Sequence, residues 1–202
     1  MFNTDKSNWS RWFMLAGVLS LVMVFLFPLW QITLEAAQFP GGLKLHIWIN
    51  KISGTDKHIV KNINILNHYI GMQAIHPESI PELKYFSFVA YVMMALGLLA
   101  IWINKAWFYF AWFLLLALLG ILGIYDFYLW LYDYGHNLDP KAPIKVPGMT
   151  YMPPLLGEKD LLNFYVKSYP HLGGLFLGLS TLFGFAAFWF KSNSKEHNAK
   201  IN

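Results

Sequence analysis

The sequence predicts an all-α membrane protein, a four-transmembrane-helix bundle with two long outer loops that form a small cap. Three observations lead there. Charged residues make up 13% of the 202 residues and hydrophobic ones 56%, with a mean hydropathy of +0.41; a soluble domain carries about 25% charge. Four apolar runs reach the roughly 20 residues that a helix needs to cross a bilayer. Tryptophans (Trp9, Trp12, Trp30, Trp102, Trp107, Trp130, Trp189) stand near the ends of those runs, where an amphipathic ring prefers the headgroup level.

The chain reads as a single integral membrane domain over residues 1–202. The first span covers about 12–30. Lys6 and Arg11 precede it as in a signal peptide, but the run is long and ends at Pro28-Leu29-Trp30 rather than at a small-x-small cleavage site, so a retained helix is expected. The second span covers about 86–103, the third about 106–130 and the fourth about 172–190. Lys6, Arg11, Lys105, Lys191, Lys195 and Lys200 share one side in short segments, while the other basic residues are spread through the outer loops, 31–85 and 131–171. The positive-inside rule then puts both termini in the cytoplasm and both long loops outside, in the periplasm if the membrane is a bacterial inner membrane. The formal charge of +4 is thereby a matter of topology, and no nucleic-acid partner is expected.

Loop one holds two runs of alternating polarity, Trp30, Ile32, Leu34 and then Leu43, Leu45, Ile47, Ile49, around Pro40-Gly41-Gly42. That pattern predicts a β-hairpin. Ile63, Leu66, Ile70 and Ala74 then recur at helical spacing, predicting a short amphipathic helix that ends before Pro77. In loop two, Pro140, Pro143, Pro147, Pro153, Pro154 and Pro170 predict the absence of long regular structure. Its apolar content, with Ile144, Val146 and Leu155, predicts a loop held by packing. In span four, Gly173, Gly174, Gly178 and Gly184 favour close helix packing, with homo-oligomerisation as an extra use.

Chemistry is expected in three places. His68, Met72 and His76 are spaced i, i+4, i+8 and would stack on one face of a helix. Imidazole with thioether suits copper, Cu(I) above all, and Asn67 and Tyr69 would orient the rings. Met149 and Met152 form a Met-x-x-Met pair of the same soft character, and His136 is a further possible ligand. Asp126 and Asp133 form a polar pair at the outer end of span three, where an ionisable group is costly and is a functional hypothesis by default. Each also has a plainer reading: Met72 as packing, the histidines as interfacial polar groups, Asp126 as a headgroup-level residue. His46, His58, His68, His76, His136 and His171 all fall in the outer loops, and only His197 lies inside.

The absence of cysteine removes thiolate zinc, Fe–S clusters and Cys-linked haem. Bis-histidine haem is not expected either, since no histidine lies in the middle of a span. Conventional catalytic motifs are missing, so no enzyme activity is expected. Four spans with one marginal acidic residue give little of a transporter's midplane site.

At Asn67-His68-Tyr69-Ile70-Gly71-Met72, and at Asp133-Tyr134-Gly135-His136-Asn137-Leu138-Asp139-Pro140 with Val146-Pro147-Gly148-Met149-Thr150-Tyr151, the chain resembles the small polytopic membrane proteins encoded beside nitrous-oxide reductase in Bacteroidetes-like bacteria. The resemblance implies a periplasm-facing accessory to that copper enzyme, acting in copper supply, maturation or assembly, with the reductase or its maturation proteins as partners. The alternative is a membrane scaffold or anchor for the reductase or its electron-transfer complex, with no metal site of its own.

Overall fold

A computed structural model describes residues 3–36, 38–144, 148, 150–161 and 164–199. Four helices carry the apolar runs: α1 (Asn3–Leu26), α3 (Glu82–Ile103), α4 (Ala106–His136) and α5 (Leu172–Ala199). Each contains a stretch long and apolar enough to cross a membrane. The chain is a multi-pass membrane protein. Its spans bury only 17% to 39% of their apolar windows inside the molecule, which leaves the remaining side chains for lipid.

Inside the bundle, α1 packs along α5 and α3 while α4 packs along α5. Small residues permit the contact: Ser180 Oγ donates to the Gly17 carbonyl at 2.8 Å, and a Cβ on Gly97 would come within 2.4 Å of Val18. Trp112 fills the centre and donates its indole N–H to the Met93 carbonyl at 2.8 Å. Gly173, Gly174 and Gly184 of the span-four series lie against Phe27–Pro28, Leu29 and Trp112, so they serve packing within the chain; the Gly178 position faces open space.

The all-α expectation is overturned above the bundle. Five strands, β1 (Trp30–Ala36), β2 (Phe39–Ile47), β3 (Ile52–Gly54), β4 (Gly157–Leu161) and β5 (Phe164–Pro170), form one antiparallel sheet in the order β3-β2-β1-β5-β4. The expected hairpin is β1–β2, but it turns before Pro40-Gly41-Gly42, which lie within β2. The larger departure is in the proline-rich loop. Pro153 and Pro154 precede β4 and Pro170 ends β5, so these prolines bound the strands without interrupting them. Between them Phe164, Val166 and Ser168 alternate with Tyr165, Lys167 and Tyr169, a period-2 pattern that pairs along the whole of β1. The outer part is therefore a mixed α/β cap, with helix α2 (Ile59–Ile70) laid against the sheet.

One helix joins the two parts. Helix α3 ends and α4 begins at the turn Asn104–Lys105, and from that turn the 22 residues of α3 reach back about 33 Å to Glu82. The same rise carries α4 to about Phe127, and residues 128–136 stand about 14 Å higher. There Leu131 and Tyr134 enter the core of the cap, with Trp130 and Phe127 packed beside them. Ile32, Leu43, Leu45, Leu161 and Val166 of the sheet and Ile59, Ile63 and Leu66 of α2 complete that core. Ser168 is buried there without cost, because its hydroxyl accepts from Trp30 Nε1 at 2.8 Å and donates to the Leu155 carbonyl at 3.0 Å.

Candidate functional site

The end of α2 with the residues just after it is stitched to the end of α4 and the chain beyond. Asp139 N–H donates to the Gly71 carbonyl at 2.8 Å, and Ile144 N–H to the Tyr69 carbonyl at 2.9 Å. Tyr134 donates its hydroxyl to the Ala74 carbonyl at 2.9 Å, and Tyr151 N–H reaches the Gly135 carbonyl at 3.0 Å. Loop one and loop two thus form one body around α2 and the tip of α4. Between them lies an apolar cavity of about 50 Å³, whose lining includes Met72, Trp130 and Tyr151. The Tyr151 hydroxyl is buried and finds no partner among the described residues.

The His68, Met72, His76 stripe does not form, because α2 ends at Ile70. Gly71 takes the left-handed conformation at φ +81°, and Met72 N–H closes the helix on the Asn67 carbonyl at 2.9 Å. A side chain at 71 would meet Ala142 and the Asp139 carbonyl at about 3 Å, so both the backbone and the space demand glycine. Beyond the cap, Asn64 holds both the N–H and the carbonyl of Ile75, at 2.7 and 3.0 Å, and Asn67 donates to the Gln73 carbonyl at 3.1 Å. Asn67 thereby braces the chain reversal, where the sequence suggested that it orients an imidazole. His68 ends exposed on the last turn of α2, Met72 packs against the core, and His76 is exposed with Nδ1 3.7 Å from Glu78.

The other expected residues are separated as well. His136 is exposed at the end of α4, stacked on Tyr132 at 3.9 Å, and its Nδ1–H donates to the Tyr132 carbonyl at 2.8 Å. Met152 is packed against the core of the cap, and Met149 lies outside the described residues. Asp126 is half-buried at the level where α3 begins, within electrostatic reach of Glu82, and Asp133 is exposed one level higher. Asp126 is thus at the outer boundary of the bundle. Among the described residues no group of three His, Asp or Glu side chains converges as metal ligands do.

A different pair of histidines does meet. Gln31 of β1 lies opposite His46 of β2 on one side and Tyr169 of β5 on the other, and His171 follows two residues later on the same outward face. The His46 and His171 rings stand 5.6 Å apart between centroids. His46 Nε2 and Gln31 Oε1 are 3.1 Å apart, and Gln31 Nε2 donates to Thr33 Oγ1 at 3.1 Å. His171 Nδ1 is buried and has no partner among the described residues, while its backbone N–H donates to the Leu29 carbonyl at 2.9 Å. The pair was missed because its members are 125 positions apart (171 minus 46) and only the pairing of β5 with β1 brings them together. The legible signals were local: outward alternation at Lys44 and His46, and a histidine immediately before a span.

The rest of that face is a polar ladder. Lys167 bonds Glu35 at 2.8 Å and lies 5.2 Å over the Tyr165 ring. Glu158 accepts the hydroxyl of Tyr165, which lowers the Glu158 pKa and pushes that of Tyr165 up to about 12.

Burial first, then the neighbouring His171 and Lys44, lower the pKa of His46 below its ordinary 6.5. The folded chain therefore binds this proton less readily than the unfolded chain, and the stability that follows is full above pH 6.5 and is lost as pH falls through the lowered folded value. Acidification from about pH 7.5 to about pH 5.5 is expected to lower the unfolding midpoint of the cap. His46→Gln is expected to flatten that response; equal pH slopes in the two proteins would remove His46 as its source.

No protein-family model matches this chain, and no curated protein matches it.

Proposed function

We propose that this chain is a non-enzymatic accessory protein of a bacterial inner membrane, with both termini cytoplasmic and the cap periplasmic, that holds copper through cap side chains for a periplasmic copper enzyme such as nitrous-oxide reductase. The observation that carries this reading is the placement of the soft and borderline donors. Six of the seven histidines, His46, His58, His68, His76, His136 and His171, belong to the cap side of the bundle, together with Met72 and Met152, and the chain has no cysteine. Neutral imidazoles and thioethers hold Cu(I) reversibly, which suits a protein that must give the ion up. Anaerobic titration of the detergent-purified protein with Cu(I) against a colorimetric chelator tests it. Withdrawal of about one ion per chain is expected; no competition at all would overturn the reading.

A scaffold role for the same reductase has an observation of its own. The outward face of α2 forms an open hollow of about 480 Å³ lined by Val60, Lys61, Asn64, Ile65, His68 and Tyr69, in which Ile65 is 47% and Tyr69 49% exposed. Stable co-purification of the metal-free protein with the reductase, lost in Ile65→Asp, is the result that reading requires.

A further inference from the structure

We propose that His46 and His171 form a two-coordinate Cu(I) site, each through its Nδ1, at the membrane-proximal end of the central strands of the sheet. The proposal rests on the copper reading above and assigns the ion to residues other than the His68–Met72–His76 stripe.

The tautomers follow from the hydrogen bonds. Gln31 gives its amide N–H to Thr33, which turns its carbonyl oxygen toward His46. A carbonyl only accepts, so His46 carries its proton on Nε2 and keeps the Nδ1 lone pair. On His171 the Nδ1 atom is buried without a partner among the described residues. Two imidazoles sharing an ion at about 2.0 Å per bond place their ring centres about 6 Å apart when the arrangement is linear and closer when it bends. The observed separation is 5.6 Å.

Ligand number and charge choose the ion. Zinc in a protein asks for four ligands or three plus water, but no carboxylate joins this pair: among the described residues no third His, Asp or Glu groups with them, and Glu35 on the same face is bound to Lys167. Lys44 lies close enough to His46 to disfavour added positive charge, which weighs more against a divalent ion than a monovalent one. Cu(I) is monovalent, is compatible with imidazole, and accepts two ligands.

The frame is rigid where a site needs it to be. Trp30 pairs with Ile47 and with Pro170 at the point where β1 leaves the bundle, so His46 on β2 and His171 just past the end of β5 are held by the two strands that flank β1 in one sheet. The backbone of α5 at Gly173 and Gly174 sits directly on the carbonyls of Phe27, Pro28 and Leu29, and Gly173 N–H donates to the Pro28 carbonyl at 2.8 Å. That contact fixes the corner from which His171 projects.

The test uses the whole protein in detergent, with Cu(I) competed against the chelator under anaerobic conditions and Zn(II) as the comparison ion. His46→Gln and His171→Gln, singly and together, are expected to abolish or cut Cu(I) affinity well beyond tenfold, and Gln31→Leu to lower it by about tenfold. The His68→Ala/Met72→Ala variant is expected to bind as the wild type does. X-ray absorption of the Cu(I)-loaded wild type is expected to show two nitrogen neighbours and no sulfur. Wild-type affinity in the His46→Gln/His171→Gln protein, a sulfur neighbour, or loss of binding in the His68/Met72 variant alone would overturn this assignment while leaving the copper reading standing. Failure of the wild type to compete for Cu(I) would overturn both. Should a His171 variant fail to fold, His46→Gln and the absorption spectrum of the wild type decide the matter.

Discussion

Gly135→Ala is expected to destabilise the cap by about 3 kcal/mol, at the upper end of overpacking costs. Gly135 lies one residue from the end of α4, and a Cβ there would stand 2.2 Å from Met152 Cα and 2.4 Å from Met152 N. Neither is the end of a flexible side chain; both belong to a backbone held by the 3.0 Å bond from Tyr151 N–H to the Gly135 carbonyl. Relief requires the segment around Tyr151 and Met152 to lift away, and Tyr151 is 2% exposed. Helix propensity alone has the opposite sign, since alanine is favoured over glycine by about 1 kcal/mol within a helix. The sign of the measured change therefore separates the two effects. Thermal unfolding followed by tryptophan fluorescence, with hydrogen exchange at residues 150–156, supplies it; a stabilised variant would mean that the 151–152 segment does not lie on α4.

Leu131→Ala is expected to cost about 3 kcal/mol, within the usual range for emptying a buried leucine site. Leu131 is 1% exposed and belongs to the cluster that holds Ile32, Leu45, Ile63 and Val166, so it lies where α4 meets both the sheet and α2. The cavity already present among these side chains means that the void left by the deletion adds to existing empty space. Faster amide exchange is expected in β1 and β5, with the helix ends near Asn104–Lys105 unchanged, because those ends belong to a different cluster around Trp112 and Met93. Unchanged exchange in the sheet would show that the tip of α4 does not support the cap.

These two substitutions mark the place where the linear pattern stopped short. The apolar run of span three was read to residue 130, where Trp130 resembles an interface marker, yet the helix continues to His136. Residues 131–136 contain Leu131 and Tyr134 on one side and Asp133 and His136 on the other, an amphipathic turn suited to a protein core as well as to a membrane surface. The end of α2 shows a second kind of error. Ile70-Gly71 is a visible helix stop, but the i, i+4, i+8 spacing of His68, Met72 and His76 also continued a helix on paper. The glycine decided the outcome, since its left-handed turn lets Asp139 and Ala142 come close and directs Met72 toward the core.

By itself the sequence determined that the chain crosses a membrane through four helices, and where those helices run to within several residues. The reason is local: a bilayer leaves a spanning backbone no partner but itself, so about 20 apolar residues in succession suffice to specify a helix. It also determined the β1–β2 pairing, whose strands lie close in sequence, and the placing of nearly all histidines at one end. Only the tertiary structure decided that the proline-rich loop supplies two strands, that β5 joins β1 across the length of the chain, and that His46 therefore faces His171. Strand pairing satisfies backbone groups between distant segments, and a strand's own residues state which face is apolar without naming the neighbour. The soft-ligand content was legible residue by residue; which donors share a site depended on the sheet register and on a single glycine at the end of α2.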